Sequence, residues 1–265
     1  MPRGAQDGAV DPLLAKGPRQ GPFGFLVGAY AVIWGLSRMV SDKKLRGLAT
    51  VPLALTAVLY LLAVMSLVVL GDDLMRLVWT QPESTWLLVF WWMATVLLVV
   101  GALLVLVLLF STIAEAIGGA FYDKMAIRVL HGHDLATREP GLIEGTVPDI
   151  FRSLIFVVAT LFFGVLGLVP VVGVPFVVLG TACAWLGFAS GAVNPALMVT
   201  EHKLGARLGW LRTYLFTALG LGAVVAAAML MPFLGLLALP ASIVGAAELH
   251  AQALVRQGAM RRRGR

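Results

Sequence analysis

The sequence predicts an all-α integral membrane protein. Two long transmembrane helices are followed by two helical hairpins that turn on prolines, with both termini in the cytoplasm. Three observations predict it. Hydrophobic residues make up 60% of the 265-residue chain and charged residues only 13%, with a mean hydropathy of +0.92. A soluble domain averages roughly 45–50% apolar and about 25% charged, so lipid must solvate much of this surface. Second, the residues without charge are gathered into four long runs. Third, nearly all basic residues fall between those runs, on what becomes one side of a membrane. The same composition excludes intrinsic disorder, which needs low hydrophobicity and high charge. A single cysteine, Cys183, excludes an intrachain disulfide framework and a cysteine zinc cluster.

Residues 1–21 are polar and rich in glycine and proline, and read as a disordered tail. Phe23–Ser37 is apolar but shorter than a full span, with Arg38, Lys43 and Lys44 behind it. A cleaved signal peptide carries its charge ahead of its apolar core, so this segment reads instead as an interfacial or short buried helix. Gly47–Leu70 and Ser84–Ala114 lack Asp, Glu, Lys, Arg and His entirely. About 20 residues at roughly 1.5 Å rise cross the hydrocarbon, so each run reads as one span. The second is overlong and tilts or projects past the bilayer. Helix is expected to continue through Glu115–Leu130, where Glu115, Asp123, Lys124 and Arg128 alternate with Ile117, Phe121, Met125 and Val129. His131–Pro148 then reads as a polar loop.

The other two runs, Ser153–Thr200 and Thr213–Ala247, are longer still and are broken by prolines. Proline lacks an N–H and disfavours helix in the residue before it. The first is expected to fold as arms Ser153–Val169 and Phe176–Val193 around Pro170 and Pro175. The second is expected to fold as Thr213–Met231 and an arm from Pro240 onward, with Pro232 in the turn. The arms are near the spanning limit, so the hairpins are short spans or re-entrant; a re-entrant tip must be buried in protein. Asn194-Pro195 reads as the end of an arm, and Ala196–Arg212 as a polar, partly helical linker. Residues 22–255 thus make one helical membrane domain. The tail Arg256–Arg265 carries five arginines and reads as solvated or headgroup-binding.

Charge placement sets the orientation. Of 20 Lys and Arg, only Arg76 lies in Gly71–Glu83, between the two long spans. The others share one face if the topology is two spans and two hairpins, and that face is then cytoplasmic.

No Walker-type glycine loop, HExxH or GxSxG occurs, so an ATP-driven pump, a membrane protease and a serine hydrolase are unsupported, and neither an enzyme nor a cofactor is expected. His131-Gly-His133-Asp134 lacks a third imidazole or thiolate nearby and reads as a solvated loop, not a metal site. Small residues recur at helical spacing in Gly187–Gly191, in Gly205 and Gly209, and in Ala218, Gly222 and Ala226, which suits close helix packing. Arg46-Gly47 opens the first span. A helix N-terminus offers N–H groups to an oxyanion, Arg46 adds a bidentate donor, Gly47 allows close approach, and Lys43 and Lys44 add attraction. These four are the candidate anion-binding residues. Glu115 and Asp123 are candidate boundary acids, and Glu248 stands in a similar position. The four runs hold no Asp, Glu, Lys, Arg or His, which disfavours a proton relay.

At these residues the chain resembles the family that groups CysZ-type sulfate permeases with etoposide-induced membrane proteins of the endoplasmic reticulum. The resemblance covers about Gly21 to Leu249. It is carried by the glycine-aromatic opening at Gly24–Trp34, by Pro52, and by Phe110-Ser-Thr-Ile-Ala114 with Phe121-Tyr-Asp123. Further on it is carried by Leu168-Val-Pro170-Val-Val-Gly173, Asn194-Pro195, Met231-Pro232-Phe-Leu, Pro240 and Gly245-Ala246. The resemblance implies full spans mixed with partly penetrating hairpins, a homo-oligomer, a bacterial inner membrane, and permeation of sulfate. Basic residues at the start of the first span are associated with the anion in that family. Arg46 matches; Gly47 stands where a second arginine is typical, and Ala120 where proline is frequent. The functional expectation is an ATP-independent permease or channel for a small anion, with membrane lipids as partners and no nucleic acid. The competing expectation is a membrane scaffold or bilayer-shaping protein.

Overall fold

The computed structural model describes residues 11–78, 84–138, 142–167, 169, 173–200 and 204–263. These form eight helices: α1 Phe23–Ser41, α2 Lys43–Val78, α3 Thr85–His131, α4 Leu142–Leu166, α5 Gly173–Thr200, α6 Leu204–Thr213, α7 Leu215–Met229 and α8 Pro232–Arg263. No strand occurs among the described residues.

The two long helices expected from the first charge-free runs are α2 and α3, of 36 and 47 residues. At roughly 1.5 Å per residue α3 is about 70 Å long, more than twice the ~30 Å hydrocarbon. Its projecting end is the expected extension past Glu115, where Tyr122 and Met125 are buried with residues of α1, α2 and α8, and Ala126 and Leu130 with residues of α5 and α8. Helix α4 begins at Leu142, so the polar loop before it is shorter than the expected His131–Pro148.

The first proline hairpin is α4–α5, antiparallel, with Phe156 against Gly187 and Phe163 against Gly180. Pro170 lies outside the described residues, and Pro175 falls in the first turn of α5. The second hairpin differs from expectation. Its turn is Leu230–Met231, Pro232 is the first residue of α8, and Pro240 lies inside that helix. Proline at the first helical position gives up only a donor that has no helical partner there. Pro240 removes a ladder bond, a cost of about 3 kcal/mol in an isolated helix. Residues Ala238–Ala253 are all buried, and their packing outweighs it. The same correction applies to Asn194-Pro195. It does not end an arm; α5 runs through Pro195 to Thr200, with Ala192–Val199 all buried. Of the expected linker Ala196–Arg212, residues 196–200 are therefore the end of α5 and 204–212 belong to α6, while 201–203 lie outside the described residues.

Helix α8 lies at the centre, in contact with α1, α3, α5 and α7. Of its apolar stretch 83% is buried, so α8 faces protein and not lipid. Helix α1 crosses it antiparallel: a Cβ at Gly35 would collide with the Ala241 carbonyl, and one at Gly245 with the Ala31 carbonyl. Helix α1 also runs parallel to α7, where Gly28 meets the Thr217 carbonyl and Gly220 meets the Phe25 carbonyl. Lipid tails are as apolar as leucine, so such close backbone approach, not hydrophobic burial, holds these helices together. Gly222 packs likewise on Trp185, beside fully buried Ala218. Gly205 and Gly209 do not: nothing lies within 4 Å of a Cβ there.

Helix α1 is thus a packed element on one side, and its other side exposes Phe23, Leu26, Ile33 and Val40. Residues 11–21 also depart from the expected disordered tail. Leu14 is fully buried, the Tyr30 hydroxyl donates to Asp11 Oδ2 at 2.6 Å, and the Thr217 hydroxyl both accepts from the Arg19 amide and donates to its carbonyl. Gly17 turns at φ +62° against Gln252. This strap ties α1, α7 and α8 together at one end.

Among the described residues, Phe23–Ser41, Gly173–Thr200 and Leu234–Gly258 are long and apolar enough to cross a membrane. The bent pair α6–α7, broken by 96°, makes a fourth if it is one span.

Candidate functional site

The α1–α2 corner is built on Asp42. Its extended backbone breaks the helix, and its side chain caps α2: Oδ1 accepts from the amides of Lys44 (2.9 Å) and Leu45 (3.4 Å). Its carbonyl accepts from the Arg46 amide at 2.9 Å. Arg128 of α3 closes on the same carboxylate with two bonds, Nε to Oδ2 at 2.9 Å and Nη2 to Oδ1 at 3.0 Å. Burial pushes the Asp42 carboxyl up, but the Arg128 bond and the two amides outweigh it and hold it below the usual carboxylate range.

The four candidate anion-binding residues sit on the first two turns of α2. Lys43, Lys44, Arg46 and Gly47 are all exposed, and a Cβ at Gly47 would meet nothing within 4 Å. The corner is not an open oxyanion nest, because amides at the start of α2 already serve the chain's own carboxylate. What this corner offers an anion is side-chain charge, with Arg46 as the bidentate donor.

A second polar group lies inside the bundle. Glu248 of α8, 4% exposed, accepts from His133 Nε2 and from Gln252 Nε2, each at 2.9 Å. One turn of α8 holds both Glu248 and Gln252, whereas His133 arrives from the loop after α3. The bond to Glu248 raises the His133 pKa above its ordinary value against the opposing effect of burial. His250 Nε2 lies 2.9 Å from the Thr200 hydroxyl at the end of α5. Further along α5, two buried arginines dock on one face a turn apart. Arg152 of α4 donates to Ser190 Oγ, and Arg207 of α6 donates to Asn194 Oδ1 at 3.1 Å.

His131 and His133 do not converge. His131 Nε2 lies 2.8 Å from the Thr137 hydroxyl while His133 turns to Glu248. The Glu115 side chain lies outside the described ones, and Asp123 is half-buried on the projecting end of α3.

A protein-family model described as sulfate transporter CysZ/etoposide-induced protein 2.4 matches residues 31–240. The chain belongs to this family. No individual curated protein matches it. The matched region runs from within α1 into α8, so family membership and helical architecture describe the same integral membrane bundle.

Sequence reasoning found the cationic corner but missed its carboxylate cap, Asp42, although an acid directly before a helix is a capping signal. It also stopped the last apolar run at Ala247, just short of the buried acid. The Glu248/Gln252 spacing of four was the available clue, since that spacing pairs side chains on one helix face. Arg152 and Arg207 carried no such sign.

Proposed function

We propose that this family member is an ATP-independent permease or channel for a small anion such as sulfate, in a bacterial inner membrane. The observation that carries the reading is the family match over residues 31–240, across nearly the whole helical bundle. The sign of the fixed charge supports it. Lys43, Lys44 and Arg46 stand exposed at the start of α2. The exposed cations at the start of α2 attract anions and repel cations, which suits an anion permease.

Arg46 is the proposed contact. Its guanidinium matches an oxyanion with two parallel donors, and bare Gly47 leaves room beside it. Lys43 and Lys44 contribute attraction at longer range. Asp123, half-buried beside this side of the bundle, stands as a boundary acid of the same path.

Uptake of labelled sulfate into proteoliposomes tests the reading. Arg46→Ala is expected to lower uptake at least tenfold, the loss of one charge-assisted bidentate contact of about 1.5–3 kcal/mol. Arg38→Ala is expected to lower it far less. Equal uptake by both variants and wild type would remove the Arg46 site. Uptake no higher than in empty liposomes, for sulfate and other small anions alike, would remove the permease reading and leave a membrane scaffold.

A further inference from the structure

Helix α2 buries Leu45, Ala49 and Pro52 and exposes its opposite side. Counted at about 100° per residue, that outer side carries Lys43, Lys44, Gly47, Val51, Val58 and Leu62 in one stripe. All six are exposed. Two cations therefore head a continuous apolar face. Arg46 stands on the flank of the stripe, its carbonyl accepting from the Thr50 hydroxyl. Between the lysines and Val51, Gly47 leaves a notch with nothing within 4 Å. From Val51 to Leu62 the helix rises about 16 Å, half of a ~30 Å hydrocarbon layer, which is the depth of one leaflet.

We propose that this stripe is a seat for an anionic phospholipid: Lys43 and Lys44 hold the phosphodiester, its headgroup lies over Gly47, and its acyl chains run along Val51, Val58 and Leu62. Charge and shape both select this occupant. Two exposed lysines in water hold a free anion weakly, because solvent and salt screen them. The amides of Lys44 and Leu45, which would strengthen a free-anion site, are bonded to Asp42. A lipid needs neither, because its chains are already anchored in the leaflet and the lysines add only preference for negative charge. The seat shares Lys43, Lys44 and Gly47 with the proposed anion approach but not the Arg46 guanidinium, the proposed anion contact, so lipid retention and sulfate uptake are separated by Arg46→Ala.

The test is native mass spectrometry of the full chain in detergent, with phosphatidylglycerol or phosphatidylcholine of identical acyl chains. Each lysine near a headgroup contributes about fivefold, so wild type is expected to retain phosphatidylglycerol about twenty- to thirtyfold better. Lys43→Gln with Lys44→Gln is expected to bring the two lipids level, and, both side chains being exposed, to keep the wild-type melting temperature. Gly47→Trp, which keeps both charges and fills the notch, is expected to lower phosphatidylglycerol retention as well. Arg46→Ala is expected to keep the preference while losing sulfate uptake. Equal retention of both lipids by wild type, or full preference in the double lysine variant or in Gly47→Trp, overturns the proposal. Displacement of phosphatidylglycerol by millimolar sulfate also overturns it, since the lysines would then hold a free oxyanion.

Discussion

Gly28 is the position where the packing of this bundle is most directly testable. A Cβ there would collide with the Thr217 carbonyl and lie 2.8 Å from the Leu221 amide nitrogen. Both neighbours are backbone, so no side chain can swing away; α1 and α7 must separate. Overpacking of a tight interface costs about 1–3 kcal/mol, and the rigid neighbours place Gly28→Ala in the upper part of that range. Alanine also gains roughly 1 kcal/mol of helix propensity over glycine. The net expectation is a loss of about 1–2 kcal/mol. Separation of α1 from α7 also strains the reciprocal contact of Gly220 with Phe25, so Gly28→Ala and Gly220→Ala are expected to be less than additive. Gly119→Ala is the matched control. It lies in α3 with nothing within 4 Å of a Cβ, keeps only the propensity gain, and is expected to be neutral or stabilising. Unfolding of the purified protein in mixed micelles with increasing denaturing detergent measures all three. If Gly28→Ala is as stable as Gly119→Ala, α1 is not held by backbone contact, and the reasoning from close approach fails.

Three further outcomes are expected. The His133 pKa is raised in the folded state by Glu248, so its stabilisation is complete below the ordinary value of 6.5 and is lost as pH rises through the raised value. Thermal unfolding across that window should show falling stability in wild type and a flat profile in Glu248→Gln; a persisting slope in the variant would place the titrating group elsewhere. Asp42→Ala removes a helix cap worth about 1 kcal/mol and a partly exposed ion pair worth at most about 1 kcal/mol, whereas exposed Lys43→Ala should change stability by less than about 0.5 kcal/mol. Circular dichroism during detergent unfolding reads the difference. Leu14→Asp should release the strap of residues 11–20 to limited proteolysis while leaving helical content unchanged, because the strap contributes no helix to the bundle; loss of helicity would make Leu14 part of the folding core instead.

How much of this was legible depends on how local each determinant is. The hairpin of α2 and α3 was, because a charge-free run flanked by charge is a property of contiguous residues. The depth of α1 was legible in part. Gly24, Gly28 and Gly35 fall on one helical face, a pattern that signals close packing, yet the shortness of its apolar run suggested a surface position. The prolines misled for a definite reason. Pro195 and Pro240 each weaken a helix locally, and local rules end the helix there. What keeps the helix going is burial on every side of the adjacent residues, supplied by α1, α3, α5, α7 and α8 from distant parts of the chain.

The candidate site divides along the same line. Lys43, Lys44, Arg46 and Gly47 are neighbours in sequence, and one helical turn places them together wherever the helix goes. Glu248 differs, because its partner His133 lies 115 residues away. An isolated carboxylate inside a lipid-solvated bundle is strongly disfavoured, so a sequence rule is right to place a lone acid at the boundary. The rule fails here because the projecting end of α3 carries His133 back onto α8, and Gln252 takes the other carboxylate oxygen. The excess length of α3 was therefore the informative signal. A helix more than twice the length of the hydrocarbon layer must pack its remainder on something, and a polar loop at its end brings hydrogen-bond partners to whatever that is. Read that way, the alternation over Glu115–Leu130 marks a docking surface for the central helix and not a merely wetted extension. An acid just past the last apolar run then becomes a candidate for burial instead of exposure.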